Sequence, residues 1–392
     1  MNFVTDLDVK GRLVFLRVDF NVPLDASGAI RDDNRIKASL PTITWLLDHG
    51  ARLVIASHLG RPKGQPDPKM SLAPAAKRLA ELVPSKVVMA PDVVGDEVSR
   101  LKSGLGEGEA LLLENVRFYK EEEKNDPAFA ARLAEGIDIF VNDAFGASHR
   151  AHASVVGIAS HVPVKAAGYL MKKEVDYLKK AIHTPVKPYV AILGGAKVSD
   201  KIEIIESLLG KADQILIGGA MAYTFLKAQG LGVGLSLVED DQLEVAMVIL
   251  DKARQSAVSF HLPQDHLLAR TAEPGSETTV VEALPFPEDL MGVDIGPKTV
   301  AAYAAVIAQA KTIFWNGPMG IFEIEEFARG TIGIAKAVAD SGAVSIVGGG
   351  DSAAAVKKAG VRDKISHIST GGGASLEYVA YETLPGITAL EQ

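Results

Sequence analysis

The chain has 392 residues, of which 47% are apolar and 23% charged, with a net charge of −8 and no cysteine. This length exceeds one ordinary core and points to two domains or three. The acidic balance argues against broad nucleic-acid binding, and the missing cysteines exclude disulfides and thiolate metal sites.

No apolar stretch approaches the roughly 18 to 20 residues that cross a bilayer. The start, "MNFVTDLDVKGRLVF", lacks a basic-then-apolar secretory pattern, so a cytoplasmic protein without membrane partners is expected. In chain order, short apolar runs appear at "RLVFLRVDF" (12–20), "RLVIASH" (52–58), "KVVMA" (86–90), "ALLLEN" (110–115) and "DIFVNDAF" (138–145). They continue at "YVAILGG" (189–195), "QILIGGA" (214–220), "SFHLP" (259–263), "TIFWNG" (312–317), "SIVGGG" (345–350) and "ISHIST" (365–370). Near-continuous apolar strands alternating with helices predict parallel sheets covered on both faces.

Three helices are readable in detail. In "DDNRIKASLPTITWLLDHG" (32–50), Asp33 or Asn34 is the expected cap, Ile36, Leu40, Ile43 and Leu47 share a face, and Gly50 closes. Between the halves, "HVPVKAAGYLMKKEVDYLKKAIHTPVKP" (161–188) brackets a helix of about 14 residues with prolines, a semi-rigid connector. In "SDKIEIIESLLG" (199–210), Asp200 and Glu203 have capping-box spacing. The expected domains are 1–165 and 186–377, with residues 166–185 as connector.

Ligands of open parallel sheets bind beyond the carboxyl ends of the strands, so the residues after each run are the ones to read. In the second half these are glycines: 194–201, 218–220, 316–320, 348–352 and 369–375. Several such turns at one edge make a floor of amides and helix N-termini suited to a polyanion such as a nucleotide. No Walker loop and no G-x-G-x-x-G after a strand occurs, which counts against a dehydrogenase. Lys197 and Lys201 follow a strand four residues apart. A lysine near a helix start opposes the macrodipole and calls for an anionic partner. Asp351 reads either as an N-cap or as a Mg²⁺ ligand.

The first half differs. Of 15 arginines, 11 fall within residues 1–150. Arg17, Asp19, Asn21, His58, Arg61, Arg117, His149 and Arg150 stand at strand ends, with Arg35 nearby. This makes a basic mouth for a small phosphorylated carboxylate. Asp19 reads alternatively as the orienter of an arginine, and Arg17 as a buried pair partner. His149 and His152 lack the further ligands that zinc needs.

"RVDFNVPLD", "SHLGRPKG", "ENVRF", "GASHRAHAS", "GGAKVSDKI", "FWNGPMGIFE", "GGGDS" and "STGGGASLE" resemble, in order, the signatures of the phosphoglycerate kinase family in its bacterial form. The resemblance implies an α/β fold of two Rossmann-like three-layer αβα domains with mainly parallel sheets, joined by an interdomain helix and hinge. It also implies that residues 378–392 complete the first domain. The implied reaction moves a phosphoryl group between 1,3-bisphosphoglycerate and ADP, giving 3-phosphoglycerate and ATP, with Mg²⁺, in a monomer.

Carried over, the phosphoglycerate site comprises Asp19, Phe20, Asn21, Arg35, His58, Leu59, Gly60, Arg61, Arg117 and Arg150. Arg35, Lys197 and Gly372 surround the transferring group. The nucleotide site comprises Gly195, Lys201, Gly219, Gly292, Asn316, Glu323, Gly349, Gly350, Asp351 and Ser352, with Asp351 on the metal. "YVAYETLPG" (378–386) departs from the family pattern, which has a Gly-Lys pair there.

Overall fold

Among the described residues, fifteen strands form in the order β1 Leu13–Arg17, β2 Arg52–Ala56, β3 Val87–Met89, β4 Ala110–Leu112, β5 Ile139–Asn142, β6 Val164–Ala167, β7 Tyr189–Leu193, β8 Gln214–Ile217, β9 Ser259–His261, β10 His266–Ala269, β11 Thr278–Val281, β12 Met291–Ile295, β13 Thr312–Asn316, β14 Val344–Gly348 and β15 His367–Ile368. The structure is a computed structural model describing residues 1–282 and 285–392. The chain divides into unit 1, Met1–Asp176 with Thr383–Gln392, and unit 2, Tyr177–Glu382.

Unit 1 has a six-stranded sheet in the order β3-β4-β2-β1-β5-β6, parallel throughout. Every residue of β1 is buried, as expected for a parallel strand with helices on both faces. The helix Asn34–Asp48 packs Ile36, Ile43 and Leu47 onto this sheet, with Leu40 at the margin. Asp33 occupies its N-cap position, but its carboxylate is taken by Lys37 and Arg78 rather than by the helix amides.

Unit 2 repeats the architecture with a parallel sheet in the order β15-β14-β13-β7-β8-β9. Trp315 of β13 is fully buried, and its indole N–H donates to Gly317 O at 2.7 Å. The expected α/β layering with mainly parallel sheets is therefore present in each unit. The sequence reading missed two features. β6 lies inside the stretch read as connector, and β10, β11 and β12 form a separate antiparallel sheet ordered β11-β10-β12. β6 reads "VKAA", with Val164 exposed and Lys165 half-buried, and the small sheet's edge strand β11 is mostly exposed, so neither carries a strong apolar run.

The connecting helix spans Tyr169–Ile182, 14 residues, and the division between the units falls within it. The atypical segment near residue 382 also has a physical account. Glu382 terminates the helix Gly372–Tyr381 in the left-handed conformation, φ 64°, where glycine is usual. Its carboxylate pairs with Lys211 at 2.6 Å and His183 at 3.4 Å.

Candidate functional site

Each six-stranded parallel sheet has a switch point, where the strand order reverses and a crevice is expected at the carboxyl edge. In unit 1 it lies between β1 and β5, in unit 2 between β7 and β13. At the unit 1 switch point, the chain leaving β1 places Arg17 fully inside. Its Nε donates to Ser154 Oγ at 2.8 Å, and a second nitrogen donates to the Val18 carbonyl. Glu122, also fully buried, accepts from Ser154 N at 2.8 Å and Ser154 Oγ at 2.5 Å. Burial lowers the Arg17 pKa while Glu122 and Asp19 oppose that shift. Burial raises that of Glu122, against the pull of Arg17.

Arg17 Nη2 lies 3.2 Å from His58 Nδ1. A guanidinium only donates, so His58 Nδ1 is the acceptor and the ring proton sits on Nε2. Burial holds the His58 pKa well below its usual range, which keeps the ring neutral. Asp19 does hold an arginine: its Oδ2 lies 2.5 Å from Arg35 Nη1. Burial alone would raise the Asp19 pKa, but the charges of Arg35 and Arg17 and the Asn21 amide outweigh it and keep the carboxylate ionised.

The loop after β2 is fixed by Asn21 Oδ1, which accepts from Gly60 N at 2.9 Å, and by Arg117 Nη1, which donates to Gly60 O at 2.9 Å. Arg61 and Arg150 are exposed at the rim, and Arg35 is 37% exposed. Phe20 and Leu59, expected to line the site, have their side chains in the core, 0% and 5% exposed. The Phe20 amide is taken internally as well, donating to Ser57 Oγ at 2.7 Å.

At the unit 2 switch point the glycine turns stack backbone on backbone. Gly194 N donates to Asn316 O and Gly195 N to Pro318 O, while Gly219 N donates to Met319 O. Gly219 has φ 67°, and a Cβ there would stand 2.5 Å from Gly195 O. A Cβ on Gly372, at the start of the helix Gly372–Tyr381, would stand 2.7 Å from Gly349 Cα. Two helix N-termini, at Gly350 and Gly372, thus meet at close range. First-turn amides lack intrahelical acceptors, so the pair presents donors and positive dipole ends to an anion.

Lys201 is 9% exposed, and its Nζ donates to Asn316 Oδ1. Asn316 Nδ2 in turn donates to Gly348 O at 2.7 Å. Burial brings the Lys201 pKa down to about 8, against the pull of Asp200 and Asp351. The expected cap is corrected here: Lys201 itself occupies the N-cap position of the helix Ile202–Leu209, and Asp200 lies outside it. The Lys201 side chain turns inward to Asn316, while Glu203 takes the Tyr381 hydroxyl instead of the cap amide. Asp351 is not an N-cap either. Gly349 holds that position, and Asp351 is an exposed first-turn residue with no hydrogen bond or ion pair among the described residues. Lys197 is exposed in the loop after β7.

A cavity of about 490 Å³ adjoins this edge, and Gly195, Gly219, Gly292, Glu323 and Asp351 all line it. Its remaining wall is largely apolar, including Tyr223, Leu235, Leu237, Met291 and Met319. Leu235 and Leu237 are 55% and 59% exposed, apolar surface placed for a flat ring to cover.

The model of the phosphoglycerate kinase family matches residues 4–382. The chain belongs to the phosphoglycerate kinase family. Among curated relatives, the phosphoglycerate kinase of Solibacter usitatus is 58% identical over 393 residues, covering 99% of both chains. That of Anaeromyxobacter dehalogenans (strain 2CP-C) is 56% identical over 388 residues and 98% of both. The phosphoglycerate kinase structure from Coxiella burnetii superposes with a TM-score of 0.89 at 43% identity, covering 99% of this chain and 98% of that one. Phosphoglycerate kinase activity follows: the chain is a phosphotransferase with ATP and ADP as co-substrates.

As a phosphoglycerate kinase, the chain brings the residues expected for the acid to the edge of unit 1, and those expected for the nucleotide to the edge of unit 2. Asn316 and Ser352 stand there with their side chains already engaged. Asn316 holds Lys201, and Ser352 Oγ accepts from Gly317 N at 2.6 Å. Sequence reasoning missed Glu122 and Ser154, which support Arg17 from below. Glu122 sits in the charged run "KEEEK" (120–124), which reads as a solvated face and gave no signal of burial. It also missed the apolar wall: Tyr223 and Met291 stand beside glycines that were read, but apolar side chains give no sign of whether they face a core or a cavity.

Proposed function

We propose that the chain carries out reversible Mg²⁺-dependent phosphoryl transfer between 1,3-bisphosphoglycerate and ADP, the acid bound by unit 1, the nucleotide by unit 2, and transfer following closure of the units. The observation supporting this is the division of labour between the switch points. Unit 1 offers guanidiniums and a neutral histidine, suited to a phosphorylated carboxylate. Unit 2 offers a buried lysine, two helix N-termini and an apolar slot, suited to a nucleotide.

In the direction of ATP consumption, a carboxylate oxygen of 3-phosphoglycerate forms a bond to the γ-phosphorus as the bond to the ADP oxygen breaks. The nucleophile is already anionic, so no general base is needed and no covalent enzyme intermediate forms. The work left to the protein is alignment, exclusion of water and stabilisation of charge.

Asp19 and Asn21 fix the mouth, with Asp19 steadying Arg35. Arg61, Arg117, Arg150, His58 and Gly60 bind the acid's phosphate and carboxylate. Arg35, Lys197 and the Gly372 amide stabilise the travelling phosphoryl group. Lys201, steadied by Asn316, binds nucleotide phosphates together with Gly195, Gly349, Gly350 and Ser352. Glu323 takes the ribose, and Gly219 and Gly292 line the slot that takes the base.

The donor set at Asp351 fits Mg²⁺: an exposed first-turn carboxylate, free of protein partners, beside helix N-termini that attract phosphate oxygens. When bound with the nucleotide, the ion neutralises phosphate charge. A monomeric cytoplasmic enzyme fits this reading, and no described helix is long and apolar enough to cross a membrane.

The test is a coupled assay with purified protein, 3-phosphoglycerate and ATP. ADP should appear only with 3-phosphoglycerate and Mg²⁺ both present. Turnover unchanged by chelation would remove the metal, and no turnover at all would remove the reaction.

A further inference from the structure

One buried carboxylate at the unit 1 edge has no part in the scheme above. Asp143 directly follows β5, at the same carboxyl edge that goes on to His149 and Arg150, and it is fully buried. Its Oδ1 accepts from Met171 N at 3.0 Å, and the carboxyl also takes hydrogen bonds from the Leu170 amide and the Thr42 side chain. Thr42 Oγ1, from the helix Asn34–Asp48, accepts from Tyr169 N at 2.9 Å. The first three amides of the connecting helix Tyr169–Ile182 are therefore held by two side chains of unit 1. The residue before them, Gly168, could carry no side chain: a Cβ there would stand 2.2 Å from Asp143 Oδ1. At its other end Asp143 N donates to Arg17 O at 2.8 Å, so its backbone is tied to the arginine at the end of β1.

Asp143 Oδ2, in contrast, has no hydrogen-bond partner among the described residues. A buried carboxyl oxygen left unpaired is costly, and burial raises this group's pKa to about 7. An ordinary cap is a solvated Ser, Thr, Asn or Asp of the helix's own N-terminus. Here the cap comes from another strand, 28 residues away in sequence, and is retained despite that cost.

We propose that Asp143 is a positioning residue that fixes the start of the connecting helix to the substrate edge of unit 1, and so sets turnover without touching either substrate. This rests on the reading that transfer follows closure of the units, because the helix is the segment through which the chain passes from unit 1 to unit 2. A helix start held rigidly to the acid-binding edge keeps the bound acid in register with whatever the helix carries. A loosened start lets that register wander, and a misplacement of about 1 Å can cost about 10²-fold in rate.

The test uses the full chain with Asp143→Ala, Asp143→Asn and, as a milder change at the same cap, Thr42→Val. Activity is read well below each variant's melting temperature, together with small-angle scattering of wild type and variants with and without both substrates. In Asp143→Ala, kcat should fall at least about tenfold with both KM values within about twofold of wild type. Asp143→Asn, which keeps an acceptor for the helix amides, should recover most of that loss. Thr42→Val should show a smaller loss with the same split, and it carries the test if Asp143→Ala does not fold.

A lower melting temperature with unchanged kcat in the folded variants would make Asp143 a structural cap only and overturn the proposal. So would kcat and KM failing together. Scattering separates the two ideas. Wild type that does not compact with both substrates ends the closure reading and this proposal with it. Compaction in wild type with full turnover in Asp143→Ala ends the proposal alone.

Discussion

Replacing Lys201 by methionine should stabilise the apo protein while removing nucleotide binding, and the size of the first effect follows from the geometry. Burial lowers the Lys201 pKa from 10.5 to about 8, which corresponds to about 3 kcal/mol against the charged form. That cost is present in full below pH 8, where the lysine is protonated in both the folded and the unfolded chain. Between about 8 and 10.5 the unfolded chain still binds the proton and the folded one does not, so stability rises with pH across that window. Above it both forms are neutral and the cost is gone.

Lys201→Met removes the cost but also the bond from Nζ to Asn316, and a bond to a charged group contributes about 1.5–3 kcal/mol. The net gain near neutral pH is about 1 kcal/mol. For a unit of the size of Tyr177–Glu382 this gives a rise in Tm of about 2–4 °C. Thermal melts of both proteins from neutral to strongly alkaline pH measure it: the methionine variant should melt higher near neutrality, with the difference shrinking as pH passes from about 8 to 10.5. Titration calorimetry with Mg-ATP should show nucleotide affinity largely lost. A variant that melts lower at neutral pH, or one that binds nucleotide like wild type, would refute the account of a lysine held in apolar surroundings for an anion.

Three further outcomes are expected. Arg35→Ala should lower turnover far more than nucleotide affinity, since Arg35 is held by Asp19 at the unit 1 edge; equal losses of both would remove its role in transfer. Lys197→Ala should slow transfer by about 10²-fold, the size of one lost electrostatic stabiliser, with its exposed position leaving the melting temperature near wild type. Gly219→Ala should destabilise unit 2 by more than about 1 kcal/mol, from the left-handed backbone alone. The 2.5 Å approach to Gly195 O adds to that, and a melt matching wild type would contradict the stacked-turn description.

The fold was legible wherever an apolar run had to be covered on both faces. β1, β7 and β13 are buried along their whole length, so their sequences carry no polar face to mislead. Where one face meets water the signal fades. The edge strand β11 reads "TTVV" with three of its four residues exposed, and it passed unnoticed. The candidate site residues were read by a related logic, because the polarity of a parallel sheet puts ligands after the strands. The errors came where a side chain chose a partner distant in sequence. Asp200 has cap spacing, yet the helix start went to Lys201 because Asn316, 115 residues on, draws its ammonium inward. Phe20 and Leu59 sit among the candidate site residues, yet their side chains pack into the core of unit 1.

The same distinction separates the two kinds of charge at the unit 1 edge. Arg17 is as basic as Arg61 and Arg150 and stands at an equivalent strand end, but it is spent internally on Ser154, the Val18 carbonyl and His58. What it contributes is a fixed electrostatic background: it leaves His58 an acceptor at Nδ1 and a donor at Nε2, and helps keep Asp19 ionised to hold Arg35. Arg61 and Arg150, exposed and without ion pairs among the described residues, remain free to bind an anion. A neutral His58 matters for the same reason. A charged imidazole beside Arg17 would add repulsion, whereas a neutral one relays orientation from the buried guanidinium to the crevice through a single hydrogen bond. Burial, which holds His58 neutral, is thus what converts a cluster of like charges into an ordered edge. Arginine count alone, which first marked this half of the chain, carries no information on which members are buried and which are free.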